Sequence, residues 1–416
     1  MTTTQEPPVR RGRPGASADP GEQATAARGR FAWTEPLRRS LERPLTSYYL
    51  LLGASALLLT IGLVMVLSAS SVYSYRLTGD SYGVVRRQLM WAAIGLVVAL
   101  VVARLPMRVV RRATWLALPV VLVLLALTQT GLGVEVNGNK NWLALGPVQI
   151  QPSELAKLTI VLWAADVYAN KERVLDRVRH MLVPVVPVVG LIIVLVLLQR
   201  DLGTALVLLA ILLAMLWVVG APLRFFALAL SIVAVGVVVL ATTSAERVKR
   251  ITNFLDPFAD FHDAGWQPAH GLFALSSGGF LGQGIGASQQ KWGDLPEAHT
   301  DFIFAVLGEE LGLVGTLLVL ALFLTVAFAA IRVASTTADP FVRYAGFGIV
   351  VWLLGQAMIN LGMVLTLLPV IGIPLPLVSY GGSALVPSLV ALGLLITFAR
   401  REPGAAAALE ARRRAR

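Results

Sequence analysis

The stretch "LPEAHTDFIFAVLGEELGLVG" (residues 295–315) sets Glu297, His299 and Asp301 at the doorstep of an apolar run that begins at Phe302. A carboxyl at a membrane entry is partly desolvated, which raises its pKa toward the range of a useful general base. The competing assignment is structural. Asp301 or Thr300 would cap the helix, with the neighbouring carboxylates on its positive end. Glu309 and Glu310 fall about two turns further in, roughly 12–14 Å along the axis, and are expected to point into the bundle and organise it.

Three other segments place polar groups where they are expensive. In "VNGNKNWLALGPVQIQPSELAK" (136–157), Pro152 suits the first helical position and Glu154 complements the helix dipole. Glu154 and Lys157 are three apart and share a face, so they form either an internal ion pair or a cation aimed at an anionic ligand in a hydrated cavity. In "QRDLGTA" (199–205), Asp201 can cap the next helix, while the Arg200 guanidinium matches phosphate oxygens in bidentate fashion. "LPVIGIPLPLVSYGGSALVPS" (368–388) has four prolines and no charge, so it cannot be regular helix throughout. It is expected to be a rigid broken or re-entrant segment, sheltered by protein or water. Ser379, Tyr380 and the amides of Gly381 and Gly382 could meet a polar ligand there, or simply form a stiff turn with a helix-packing glycine pair.

The elements that must hold these groups are membrane helices. The chain has 416 residues, of which 56% are hydrophobic and only 14% charged, with a mean hydropathy of +0.73. Soluble domains are about one-quarter charged. The apolar runs are continuous and lack the alternation of barrel strands, so the fold class is an all-α polytopic membrane protein. Ten spans are expected, at about 48–70, 88–103, 113–130, 153–169, 181–199, 202–219, 225–243, 302–330, 344–367 and 382–399. With both termini inside, 25 of the 35 Lys and Arg fall on the cytoplasmic side, nine on the outer side and Lys157 within a span. An odd number of spans would break that asymmetry. The net charge of +11 therefore marks the cytoplasmic face rather than a nucleic-acid footprint.

This arrangement gives a transmembrane domain at 47–400 with a large outer loop, 244–301, between helices seven and eight. Its Gly-rich piece around Phe273, Leu275, Phe280 and Leu281 is expected to lie as an amphipathic element at the interface. Residues 1–46 have the composition of a disordered cytoplasmic tail and no signal-peptide core. Residues 401–416 form a basic cytoplasmic tail. Cysteine is absent, which removes disulfides and thiol chemistry.

"NWLALGPVQIQPSELAK", "RDLGTA", "PEAHTDFIFAVLGEELG" and "LPLVSYGGS" together resemble the SEDS family, the FtsW/RodA group of peptidoglycan polymerases, over about residues 48–400. The resemblance is closer to its division branch than to its elongation branch. It implies a multi-pass enzyme of the bacterial cytoplasmic membrane, at the division septum, that polymerises lipid II at the outer face. Asp301 stands at the position of the family's essential carboxylate. A class B penicillin-binding protein is the implied partner, beside other divisome proteins. Asn141 stands where the family usually has Arg, preceded by Lys140; His270 replaces a common Gln, and Ala384 a common Ser.

The chemistry fits the residues. Transfer of a sugar from a diphosphate to a hydroxyl needs a base for the acceptor proton and cationic stabilisation of the leaving group, but no strong acid. Asp301 is the candidate base. Glu154, Lys157, Lys140, Trp142, Gln151, Arg200, Glu297, His299 and Ser379 form the candidate substrate-binding set, with or without a divalent cation such as magnesium. A flippase for lipid II would instead need its ionisable groups along a path near the midplane, and a non-catalytic scaffold would leave Asp301 as a cap. The clustering of Glu297, Asp301, Glu154 and Arg200 near the outer edge favours the enzyme.

Overall fold

The computed structural model describes residues 44–136, 138–146, 148–243, 256–263 and 265–414. Residues 1–43, 244–255 and 415–416 lie outside the described residues, and with them most of the expected N-terminal tail and the first part of the long loop. Every one of the ten apolar stretches is helical. They correspond to α1 (Thr46–Thr78), α2 (Gly83–Arg104), α3 (Met107–Leu127), α4 (Pro152–Lys171), the pair α5 (Val178–Leu182) and α6 (Val185–Leu198), α7 (Leu202–Val218), α8 (Leu223–Thr243), and, after a short α9 (Trp266–Ser277), α10 (Ile303–Thr336), α11 (Pro340–Val364) and α12 (Gly382–Arg400). A final helix, α13 (Pro403–Arg414), runs through the basic C-terminal segment.

Among the described residues, seven of these spans are long and apolar enough to cross a membrane: α1, α2, α3, the α5–α6 pair, α10, α11 and α12. Of the other three, α4 carries Glu154, Lys157, Asp166 and Lys171 and α7 is short, whereas α8 is apolar over Leu223–Gly236, the part whose side chains are described. Helices α2 and α3 turn large aliphatic side chains such as Leu100, Leu116 and Val123 outward, as lipid-facing helices do.

α4 is the centre of the bundle. Trp163, Tyr168 and Lys157 are among its fully buried side chains, and it packs against α3, α7, α11 and α12. A charged helix can occupy that place because protein, not lipid, surrounds it.

Two features depart from the sequence reading. The fold is not wholly helical. Strands β1 (Gly133–Val136), β2 (Asn139–Leu145) and β3 (Val148–Ile150) form an antiparallel sheet between α3 and α4, in the order β1–β2–β3. Val134 pairs with Trp142 and Leu143 with Ile150.

The second departure is in α10. Its path breaks at Gly312, which has φ 66° and ψ −164°. Loop residues 279–284 fill the gap. Gln283 and Gly284 donate their backbone N–H groups to the carbonyls of Glu309 and Glu310, each at 3.0 Å, while Leu313 and Val314 donate to the carbonyls of Gly279 and Phe280. The loop thus satisfies the groups that the broken helix leaves open. Glu309 and Glu310 point into the bundle, as expected, and what they organise is chiefly the loop. Glu309 accepts from the Ser288 hydroxyl at 2.5 Å and the Gln289 N–H at 2.9 Å. Glu310 accepts from Lys291 Nζ at 2.9 Å and Ser68 Oγ at 2.6 Å. The two carboxylates clamp the loop onto α10, and Glu310 reaches α1 as well.

The stitch requires the backbones to touch. A Cβ on Gly282 would stand 2.2 Å from the Glu310 carbonyl oxygen. Gly282→Ala is therefore expected to destabilise the protein by about 1–3 kcal/mol, the scale of overpacking. Thermal unfolding of the detergent-solubilised protein would read this as a lower midpoint.

Candidate active site

The segment before α10 is held in an unusual way. Glu297 takes a left-handed backbone conformation, with φ 54°, and its carbonyl accepts from the N–H groups of Thr300 and Phe302 at 3.1 Å. Three successive carbonyls, those of His299, Thr300 and Asp301, are then fixed one by one from across the bundle. The Tyr380 N–H donates to His299 O at 2.9 Å, the Ser379 hydroxyl donates to Thr300 O at 2.7 Å, and the Asn360 amide donates to Asp301 O at 2.7 Å. Helix α10 starts after this, with Phe302 as its N-cap and no side-chain capping bond. Neither Asp301 nor Thr300 caps it, which corrects the capping alternative. The Thr300 hydroxyl instead donates to the Glu297 carboxylate at 2.6 Å.

Among the described residues no hydrogen bond reaches the Asp301 carboxylate. Its wall is the backbone at Gly372, where a Cβ would lie 3.5 Å from Oδ2. Burial, and then the negative charges of Glu297 and Asp201, push the Asp301 pKa up to about 7. This is a carboxyl poised to exchange a proton near neutral pH. His299 is buried between Tyr73 and Tyr380, with ring centroids at 4.8 and 5.6 Å. Burial lowers its pKa, against the opposing pull of Glu297, so it is a neutral packing group at pH 7.

Asp201 organises the neighbouring corner. It caps α7 by accepting from the Thr204 N–H at 2.9 Å, as its position in the sequence implied. Its other oxygen accepts from the amides of Asn141 at 2.7 Å and Gln151 at 3.1 Å. This fastens the β-hairpin and the entry to α4 onto the head of α7. Asp201→Ala is expected to cost about 2–4 kcal/mol, from the lost cap and the stranded amides, read as a lower unfolding midpoint. Arg200, in the turn before it, is held at φ 64° with its side chain exposed. Among the described residues its guanidinium has no hydrogen-bond partner. Lys140, partly buried on β2, reaches the Gln129 carbonyl at 3.4 Å, and Trp142 is half-buried beside it.

Deeper in α4, Lys157 is closed on itself. Its ammonium donates to Glu154 at 2.7 Å and to the Gln356 side-chain oxygen at 2.9 Å, with all three groups buried. Gln356 also accepts from the Trp352 indole and donates to Pro374 O at 3.0 Å. The internal ion pair is the arrangement present. A small cavity lined by Gln356, Pro374, Leu375, Ser379 and Gly381 lies against this network. Ser379 spends its hydroxyl inside the protein, donating to Thr300 O and accepting from Leu375 N–H at 2.8 Å. Gly381 N–H goes to Gln88 at 3.2 Å. The 365–381 segment is irregular, as its prolines require, and side chains satisfy its buried backbone.

The described residues contain no group of three or more His, Cys, Asp or Glu able to hold a metal ion. Asp201, the carboxylate nearest in kind, has both oxygens committed to protein donors. The described donor set therefore does not make a resident divalent site.

Fold and site define a polytopic helical membrane protein with one poised carboxyl at the end of its bundle. The chain belongs to the cell cycle protein family of FtsW, RodA and SpoVE, whose profile matches residues 48–403. It is 41% identical over 402 residues to a "Probable peptidoglycan glycosyltransferase FtsW" of Mycobacterium tuberculosis, which covers 96% of this chain and 75% of that one. Among solved structures, a chain from work on "structural coordination of polymerization and crosslinking by a peptidoglycan synthase complex" superposes with a TM-score of 0.69 at 29% identity, covering 85% of this chain and 97% of its own. The rod shape determining protein RodA of Thermus thermophilus superposes with a TM-score of 0.63 at 28% identity, over 85% of this chain and 97% of its own.

Proposed function

We propose that this protein is a cell-division peptidoglycan glycosyltransferase that polymerises lipid II, with Asp301 as general base. One observation carries the catalytic assignment: a carboxyl that no donor among the described residues reaches, set against the Gly372 backbone, where burial raises its pKa to about 7. The acceptor's sugar hydroxyl attacks the anomeric carbon of the donor, and its proton passes to Asp301. The bond from that carbon to the diphosphate breaks, and the electron pair leaves with the lipid diphosphate. A single base directing one displacement inverts the anomeric centre. Arg200, with its unengaged guanidinium, and Lys140 are the cations offered to the diphosphate. Trp142 and Glu297 border the same corner. Asp201, Gln151, His299 and Ser379 place these groups, and the Glu154–Lys157–Gln356 network forms the floor.

Ten crossings with both termini inside are consistent with the ten helices and the distribution of Lys and Arg, and they put Asp301 at the outer face. A carrier would need an ionisable path through the bundle, whereas the buried Glu154–Lys157 pair is closed by Gln356. The synthase complex of the structural relative supports a cross-linking partner of the class B penicillin-binding type. The family and the mycobacterial relative support placement at the septum. The test is direct: the full chain, with and without that partner, is incubated with labelled lipid II, and glycan polymer is expected. Absence of polymer in both arms, with a folded protein, would overturn the proposal.

A further inference from the structure

Asn360 lies in α11 and is fully buried. An amide buried in a membrane bundle is costly unless it is bonded. Its nitrogen donates twice, to Asp301 O and to Ile373 O, both at 2.7 Å. Among the described residues its side-chain oxygen has no partner. The orientation is forced, because a flipped amide would aim its oxygen at two carbonyl oxygens. The residue is therefore present for its two donors, and it tolerates an orphan acceptor to supply them.

What these donors join is specific. One carbonyl belongs to Asp301 itself. The other belongs to Ile373, directly after Gly372, whose backbone forms the wall beside the Asp301 carboxylate. We propose that Asn360 is a positioning residue for Asp301: its amide ties the Asp301 peptide to the Gly372–Ile373 wall and so fixes the carboxylate's place and its partial shielding from water. A lone hydroxyl has one donor, and a lysine would add charge. Asparagine supplies two donors from a short, neutral side chain.

The wall that Asn360 holds in place is uncharged. Residues 344–399 contain no Asp, Glu, Lys, Arg or His, and Tyr380 is the titratable group they bring to the Asp301 segment. The charged groups that act on Asp301 are Glu297, from its own segment, and Asp201, from the head of α7. α11 and the 365–381 segment therefore influence Asp301 through desolvation rather than charge. Loosening the tie should admit water and lower the Asp301 pKa, without removing any charge.

This inference rests on Asp301 acting as the base, so the experiment separates the two. Steady-state polymerisation of lipid II by the purified full chain with its partner is followed across pH 5 to 9. Wild type, Asp301→Asn, Asn360→Leu and Asn360→Ser are compared, and Asn360→Ser, which keeps one donor, serves if Asn360→Leu does not fold. Wild-type activity should fall below about pH 7, and Asp301→Asn should be inactive. In the Asn360 variants, kcat should fall by about 10- to 10²-fold, the scale of a misplaced catalytic group. Their KM for lipid II should stay within about 3-fold, and the acid limb should move to lower pH. A fall in kcat with an unmoved limb would mark Asn360 as merely structural, and unchanged kcat would also overturn the proposal. If Asp301→Asn stays active, the base assignment fails first and takes this inference with it.

Discussion

Asp301→Asn should fold and still bind lipid II, yet lose polymerase activity by about 10²-fold or more, the usual scale for a missing general base. Asparagine fills the same volume but cannot take the acceptor's proton. Helix α10 does not depend on this side chain for capping, so Asp301→Ala should lose activity similarly without the stability cost of a lost cap. Asp301→Glu keeps the charge but displaces it by a methylene against the Gly372 backbone, so partial activity at best is expected. The pH dependence follows from the raised pKa of about 7. The base must be ionised, so wild-type activity should rise with pH through about 7 and then level off.

Stability gives an independent reading of the same group. The carboxyl has a higher pKa folded than unfolded, so the folded state holds the proton more tightly. Its ionisation penalty is absent below the unfolded value of 3.8, grows as pH rises, and is complete above about 7. Asp301→Asn should therefore be more stable than wild type at pH 8, with the advantage shrinking as pH falls below 7. An inactive variant that is also stabilised would identify a carboxylate kept for chemistry at a cost to the fold. Near-normal polymerisation by Asp301→Asn would remove the mechanism.

Much of this was legible before the structure, for physical reasons that can be named. Continuous apolar runs are read by the bilayer itself, so helices fell on the stretches that hydropathy marked. Asp201 as a cap and the irregular backbone in the first part of 368–388 followed from local rules of capping and proline. The hairpin between α3 and α4 was hidden because Asn139–Leu145 is short and neighbours a strong helix-start signal at Pro152. The break at Gly312 was hidden because one glycine inside an apolar run is tolerated in a helix. What broke α10 was loop backbone more than twenty residues upstream, which no local pattern reports.

Gln356 and Asn360 were missed for another reason. The reading followed charge, and neutral amides in membrane spans carry a weaker signal. Yet both are expensive polar residues one turn apart on α11, and each binds a carbonyl of the 373–374 pair. Buried amides in an apolar helix would have pointed to the segment that shapes the Asp301 wall.

The largest expected structural effect lies at Lys157, and it follows from burial rather than from motif. Lys157 and Glu154 are 1% and 3% exposed. Removing one partner strands the other charge, at a cost of about 3–5 kcal/mol. Lys157→Met should therefore give protein with a much lower unfolding midpoint and poor recovery from the membrane. Glu154→Gln/Lys157→Met strands no charge, and the amide it introduces on α4 can donate to Gln356 in place of the ammonium; it should return the midpoint close to wild type. The double variant also separates two roles that the single variant confounds. If the pair serves the fold, polymerisation should recover to within about 10-fold, measured as glycan formed from labelled lipid II. A double variant that is stable but inactive would show that the ammonium itself meets the diphosphate, and would move Lys157 from the floor of the site into its binding surface.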